Sequence, residues 1–252
     1  MISVVLATHN EEKNLARCLD SVKSFADEIV VVDGESTDKT VEIARSYKAR
    51  VIQTTNKSNF HINKQMAMDE AKGELVLQLD ADEVVDQELA TFITAVNLAE
   101  TKISAWWLRR RNYFLSRFLT KGGQYPDPVI RLYRNGAARL PQKNVHEQMT
   151  VDGATDTAPG HLLHYPYPDL QMYMKKFATY TAFEAERIEQ SIELRGSNAI
   201  RYLLLKPSKT FFLLYFRHKG FVDGVPGLLF ALMSALHHPF VYLQLWERKQ
   251  KI

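Results

Sequence analysis

The segment QLDADEVVD, residues 78–86, places Asp80, Asp82, Glu83 and Asp86 directly behind the apolar run ELVLQL. Two carboxylates spaced D-x-D at a strand end suit a hard divalent cation such as Mg²⁺ or Mn²⁺, which prefers oxygen ligands and keeps positions open for water or phosphate. If the strand runs on through the motif, side-chain alternation puts Asp80 and Asp82 on one side, with Ala81 keeping the spacing slim. A cation held there can bridge a diphosphate and stabilise the negative charge that develops as it leaves. The competing use of such acids is charge at a helix start, and Asp86 fits that role, with Glu83 a second candidate. A lone D-x-D is permissive. Its position, third in a series of polar strand ends, strengthens it here.

The elements that would carry these ends can be read from periodicity. Ile2–Ala7 is a continuous apolar, β-branched run of the kind buried on both faces of a sheet, followed by THNE. Leu15, Cys18, Leu19 and Val22 recur at helical spacing. EIVVV (28–32) predicts the second strand, with Asp33-Gly34 as a turn signal and Ser36 or Thr37 as the cap of the next helix. A short third strand at 50–53, a helix over 62–71 and a fourth strand at 74–79 follow. Strands alternating with helices argue for βαβ units on a parallel sheet, where ligands bind beyond the carboxyl ends of the strands. THNE, DGESTD and DADE occupy those ends.

Further on, ISAWWLRRRNYFL predicts a strand running into a basic, aromatic stretch, VIRLYR (129–134) another strand, and 169–193 a long amphipathic helix. No G-x-G-x-x-G or G-K-[ST] loop occurs, which removes the main support for nicotinamide or P-loop chemistry. Cys18 is the single cysteine, so no intrachain disulfide forms. MISVVLATHNEE lacks the pattern of a secretion signal and reads as a first strand of a cytoplasmic protein. The net charge of +3 hides an asymmetry: residues 1–100 hold 10 Lys/Arg against 18 Asp/Glu, and the remainder 22 against 11. Acidic and basic halves suggest surfaces with different partners. The Arg109–Arg111 run follows a single Trp106-Trp107 pair, and nucleic acid is not expected because stacking platforms should recur along a groove. An acceptor bearing phosphate or carboxylate groups accounts for these arginines equally well.

ISVVLATHNEE, EIVVVDGESTDKT, FHINKQMAMDEAKGELVLQLDADE and VIRLYR…NVHE together resemble the inverting family 2 glycosyltransferases with the GT-A fold. KGFVDGVPGLLFALMSA is similar to the tail of the bacterial lipopolysaccharide core β-1,4-glucosyltransferases. The resemblance implies an α/β GT-A domain over 1–165 and a helical, basic region over 166–252. It implies transfer of a hexose, glucose from UDP-glucose first, to the heptose region of a lipopolysaccharide inner core, with a divalent metal. Thr8 and Glu11 would contact uridine and ribose, although Ala7 stands where the family has proline; Asp33 would bond the base. Lys64 would approach the diphosphate, Asp80 the ribose or a metal-bound water, and Asp82 the metal. Glu147 matches the family's catalytic acidic residue, the general base for the acceptor hydroxyl, with His146 beside it and Asp127 as second candidate. His161 and His164 are expected to be structural, with a metal contact from His164 conceivable. Transfer to a polyprenyl phosphate or another polysaccharide acceptor, and a non-catalytic nucleotide-sugar-binding role, are the rivals.

Between Gly224 and Trp246 no Asp, Glu, Lys or Arg occurs, but Pro226, Pro239, His237 and His238 interrupt the stretch. With Lys206, Lys209, Arg217 and Lys219 before it and Arg248, Lys249 and Lys251 after it, the segment reads as an interfacial helix. The expected location is peripheral, on the cytoplasmic face of the inner membrane.

Overall fold

The computed structural model describes residues 1–57, 59–141, 148–167 and 169–250. In chain order the elements are β1 (Ile2–Thr8), α1 (Leu15–Asp20), β2 (Glu28–Gly34), α2 (Thr40–Ser46), β3 (Arg50–Thr54), α3 (Phe60–Asp69), β4 (Leu75–Leu79), β5 (Glu83–Val85) and α4 (Gln87–Ala95). Then come β6 (Ile103–Phe114), β7 (Arg117–Phe118), β8 (Asp127–Arg134), β9 (Ala138–Arg139), β10 (Thr150–Val151), β11 (Ala154–Thr157) and β12 (Leu162–His164). The chain ends in α5 (Leu170–Ile188), α6 (Gly196–Ile200), α7 (Lys206–Phe211) and α8 (Gly224–Gln250). Two compact units divide it: Met1–Arg110 with Asp127–His164, and Arg111–Pro126 with Tyr165–Ile252. Residues 111–126, which the sequence reading leaves with the amino-terminal domain, cluster with the helical unit.

The first unit is built on a mixed sheet in the order β3-β2-β1-β4-β8-β6-β12-β5. β1 pairs in parallel with β2 and β4, and β2 with β3, as crossover helices require. β8 then runs antiparallel to β4 and β6. Both faces of the central strands are covered. Val4 and Leu6 join Val31, Leu77 and the α1 residues Leu15, Cys18 and Leu19 in one cluster, while Val5, Val30, Val32 and Val76 join Ala67 and Met68 in the other. This is why the strands read as largely apolar runs, with Ser3 and Gln78 as buried polar exceptions. The arrangement sends the carboxyl ends of β2, β1 and β4 to one edge.

Two local expectations change. Asp33 and Gly34 belong to β2 instead of forming its turn, and the left-handed residue is Glu35, φ +59°. Glycine at 34 answers to close approach: a Cβ there would meet Asn56 Cα at 3.1 Å and Asn63 Nδ2 at 3.2 Å. Neither Ser36 nor Thr37 caps α2, which starts at Thr40; the Thr40 amide is bonded by Asp38 Oδ1 at 2.9 Å. Asp86 does cap α4, accepting from Leu89 N at 2.9 Å.

In the second unit, Ala185 of α5 and Val241, Tyr242 and Leu245 of α8 form a core with Tyr202, from the helical turn between α6 and α7. Phe114, Leu119, Tyr173 and Phe177 form another. α8 is continuous through Pro239, which the sequence reading takes as an interruption. Buried residues on both sides of the proline, Ala231 and Ala235 before it and Val241 and Leu245 after it, hold the helix together where the missing amide weakens it. Gly220–Gln250 is thereby long and apolar enough to cross a membrane.

Candidate active site

The first two strand ends interlock. Thr8 Oγ1 donates to Asp33 Oδ1 at 3.1 Å, and the Asn10 amide reaches Ser36 Oγ at 2.8 Å. Asn10 Oδ1 accepts from Thr37 N at 2.8 Å, and Glu11 N donates to Thr40 Oγ1 at 2.7 Å. Asn10 and Glu35 both sit at positive φ, +55° and +59°, an uncommon state for non-glycine residues that tends to collect at ligand sites. Asp33 lies fully buried at the centre. Its carboxylate also receives Ser36 N at 2.9 Å and Ser36 Oγ at 2.6 Å. Of roughly four lone-pair positions on a carboxylate, about one is left for a base donor. Glu11 Oε2 is bonded by Asn14 Nδ2 at 2.9 Å.

At the third end β4 stops at Leu79, and the D-x-D forms a turn: Glu83 N donates to Asp80 O at 3.0 Å while Glu83 Oε2 accepts from Asp80 N at 2.9 Å. Strand alternation therefore does not extend through the motif, and the two aspartates have different partners. Asp80 is gripped from both sides, by Lys64 on Oδ1 and by Arg131 on Oδ2 at 2.6 Å. Asp82 Oδ2 stands 3.5 Å from His164 Nε2. The fully buried Glu83 completes the group, pairing with Arg131 at 3.2 Å and with Arg110 at 3.3 Å, and Arg110 in turn holds Asp127 at 2.8 Å. Gln78, also fully buried, accepts from Arg131.

Three cations, Lys64, Arg110 and Arg131, thus face three carboxylates, Asp80, Glu83 and Asp127. Burial works against the Asp80 carboxylate, but the charges of Arg131 and Lys64 outweigh it and hold the group well below the usual carboxylate range. Burial equally opposes the Arg131 charge, and Asp80 and Glu83 outweigh it there, holding the guanidinium above its ordinary value. Nearby Cys18 Sγ lies 3.6 Å from Asp80 O. Burial, then the charges of Glu83, Asp82 and Asp80, push its thiol up, so it is packing and not a nucleophile.

Among the described residues no group of three or more His, Cys, Asp or Glu could hold a metal by itself. Asp82 and His164, both partly exposed, nevertheless offer one carboxylate oxygen and one imidazole nitrogen on facing side chains. That donor set fits a cation that completes its shell with water and phosphate oxygens. Asp80, by contrast, has both carboxylate oxygens engaged by cations. His161 is tied to the helix cap, its Nδ1 3.1 Å from Asp86 Oδ2. Glu147 and His146 lie outside the described residues.

Sequence reasoning brings Thr8, Asp33, Lys64, Asp80 and Asp82 to one edge of the sheet and misses Gln78 and Arg131. It singles out Arg110 for an acceptor's anionic groups, without the pairing to Glu83 and Asp127 that the structure shows. The signal for the two missed residues was present: Gln78 interrupts ELVLQL and Arg131 interrupts VIRLYR. A polar side chain inside a strand buried on both faces needs a partner.

A parallel βαβ half joined to antiparallel strands, with polar residues gathered at the strand ends, is the GT-A fold of glycosyltransferases. Residues 3–94 match the model of glycosyl transferase family 2. An uncharacterized glycosyltransferase of Rickettsia conorii is 40% identical over 246 residues, covering 93% of this chain and 86% of the relative. The lipopolysaccharide core biosynthesis glycosyltransferase LpsC of Rhizobium meliloti is 28% identical, covering 93% of this chain and 90% of the relative. The crystal structure of S. aureus TarS 1-349 superposes with a TM-score of 0.50 at 18% identity, covering 93% of this chain and 80% of that one. The same protein solved with UDP gives 0.50 over 89% of this chain and 75% of that one. The chain belongs to glycosyl transferase family 2 and is a glycosyltransferase.

Proposed function

We propose that this glycosyltransferase moves a hexose, glucose from UDP-glucose first, onto the heptose region of a lipopolysaccharide inner core, inverting the anomeric carbon. The acceptor class rests on likeness to the Rhizobium meliloti core enzyme. The uridine nucleotide rests on the motif resemblance and on the fold shared with TarS, which has been solved with UDP. One observation carries the reading: the interlocked Thr8–Asp33 loops and the Lys64–Asp80–Arg131 group lie at the carboxyl ends of adjacent strands.

On this reading Thr8, Glu11 and Asp33 bind the nucleoside, and Lys64 and Asp80 lie by the ribose and diphosphate. Asp82 would hold Mg²⁺ or Mn²⁺, with the His164 imidazole beside it. Once bound, such a cation would stabilise the negative charge gathering on the departing nucleoside diphosphate. Glu147 takes the proton of the acceptor hydroxyl as that oxygen attacks the anomeric carbon, opposite the bond that breaks. Glu147 is taken as the base from the motif resemblance, with Asp127, which pairs with Arg110 through Oδ2, as the second candidate. The enzyme works at the cytoplasmic face of the inner membrane, as a peripheral protein.

A screen of nucleotide sugars against core-truncated lipopolysaccharides, read by mass spectrometry, tests donor and acceptor; polyprenyl phosphates in the same panel test the rival acceptor. Glu147→Gln should retain UDP binding and lose roughly 10²–10⁴-fold in turnover. Asp82→Ala should abolish the metal dependence of UDP affinity. Absence of transfer and hydrolysis with every donor, together with unchanged UDP affinity in Asp82→Ala, would sink the reading.

A further inference from the structure

The two faces of α8 are opposite in character. Gly227, Ala231, Ala235, Val241, Tyr242 and Leu245 are buried, and α5 and α7 pack along the helix. Gly227 also lets the Gly220–Asp223 turn close onto the start of α8, since a Cβ there would meet Gly220 O at 2.0 Å. At about 3.6 residues per turn, the other side carries Leu229, Leu232, Leu236, Phe240, Leu243 and Trp246, all exposed. The preceding helical stretch repeats the anomaly, with Leu204 at 60% and Phe212 at 60% exposure. A soluble domain rarely leaves a contiguous apolar patch of this kind without a partner.

Charge identifies the partner. From residue 194 to 222 there are six Lys/Arg and no Asp or Glu, and residues 224–246 carry no charged side chain. Basic side chains bordering an apolar stripe complement an anionic lipid surface. A second copy meeting through the same stretch would set basic residues against basic residues, since residues 194–222 hold no acids.

Crossing the bilayer fits less well. α5 packs beside α8 and exposes Lys175 near one end and Glu186 and Arg187 near the other. Lys175 and Glu186 are about 17 Å apart along the helix, against ~30 Å of hydrocarbon. A spanning α8 would drag one set of charges into the lipid. Polar groups also meet at the middle of α8, where His237 Nε2 contacts Glu184 Oε2 at 2.6 Å and His238 Nε2 contacts Thr210 Oγ1 at 2.9 Å.

We propose that α8 and the helical stretch before it lie in the plane of an anionic bilayer surface. The Leu229–Trp246 face enters the acyl boundary, and Lys206, Lys209, Arg217 and Lys219 reach the phosphates. The proposal rests on, and refines, the peripheral location in the functional reading. It makes the glycosyltransferase a monotopic protein whose second unit floats on the surface that holds a lipid-linked acceptor.

The test is flotation of the full chain with vesicles of phosphatidylcholine alone or with added phosphatidylglycerol. The protein should float with the anionic vesicles, and high salt should weaken binding. Trp246 fluorescence, isolated by subtracting the Trp246→Phe signal, should be quenched by lipids brominated near the headgroup more than by lipids brominated at the chain end. Leu232→Glu/Leu236→Glu should reduce vesicle binding roughly tenfold or more while leaving UDP binding and thermal unfolding unchanged. UDP binding scores the functional reading separately, so either can fail alone. Failure to float overturns the proposal. So does a stable dimer split by Leu232→Glu/Leu236→Glu, which would give the face to a second copy. Carbonate-resistant binding with quenching deepest at the chain end would make α8 a spanning helix.

Discussion

The two units break the ordinary distribution of side chains in opposite directions. In the first, Lys64, Arg131 and Glu83 are buried among strands, where charges are seldom found. In the second, leucines and aromatic residues that could form a core stand in solvent. The exceptions differ in how they are supported. Each of the three buried charges has an opposite partner, and Glu83 and Arg131 have two each. The exposed apolar residues lean on a helix whose other face is packed. Departures from the folding rules tend to sit where function requires them. Here one marks a site preorganised for charge and the other a surface prepared for an apolar neighbour.

The sharpest way to break the comparison is to remove Arg131. Its guanidinium bonds Gln78, Asp80 and Glu83 at once. Arg131→Met leaves the fully buried Glu83 with Arg110 alone, and a buried pair broken from one side costs about 3–5 kcal/mol. The expected result is a lower midpoint in urea at unchanged slope. Replacing both partners, Arg131→Met with Glu83→Leu, should recover part of the loss, because the orphaned charge goes with its partner. If Arg131→Met costs under about 1 kcal/mol, the network behaves as a surface ion pair and the contrast between units collapses.

That network also marks the limit of what the sequence could say. β1, β2, β4 and α1 were legible because one periodicity governs each, and Asp86 was legible as a cap because its acceptor role is local. The D-x-D was legible as chemistry but not as geometry. Its turn depends on Glu83 folding back onto the Asp80 amide and on Arg131, which is distant in sequence and arrives on β8. Gly34 was read as a turn residue because contact with Asn56 and Asn63 leaves no mark in the dipeptide. α8 was read as broken at Pro239 because a missing amide is a local fact, whereas the packing that outweighs it comes from neighbouring helices. Glu147 stays where the sequence put it, on motif position alone.

Asp223 carries the first unit's device into the second. It is fully buried just before α8, and its carboxylate accepts Thr120 N at 2.9 Å, Lys121 N at 2.8 Å and Thr120 Oγ1 at 2.7 Å. Asp223→Ala strands those amides, an expected loss of about 1.5–3 kcal/mol. Hydrogen exchange at Thr120 and Lys121 should accelerate while β1 and β4 amides keep their protection. Uniform acceleration across both units would mean that Asp223 supports the whole fold and not the start of α8.

The smallest expected effect completes the contrast. Leu77, on β4, and Leu236, on α8, are the same residue type, fully buried in one unit and 43% exposed in the other. Leu77→Ala should cost about 2–5 kcal/mol through lost transfer energy and the cavity left behind. Leu236→Ser should move stability in solution by no more than about 0.5 kcal/mol, since the side chain makes little of the fold. Because nothing in folding requires a leucine at 236, its contribution must appear elsewhere: vesicle binding should fall while urea unfolding and UDP binding stay level. A cost above about 1 kcal/mol for Leu236→Ser in solution would place that face inside the protein's own core, and the exposed stripe would lose its claim to an outside partner.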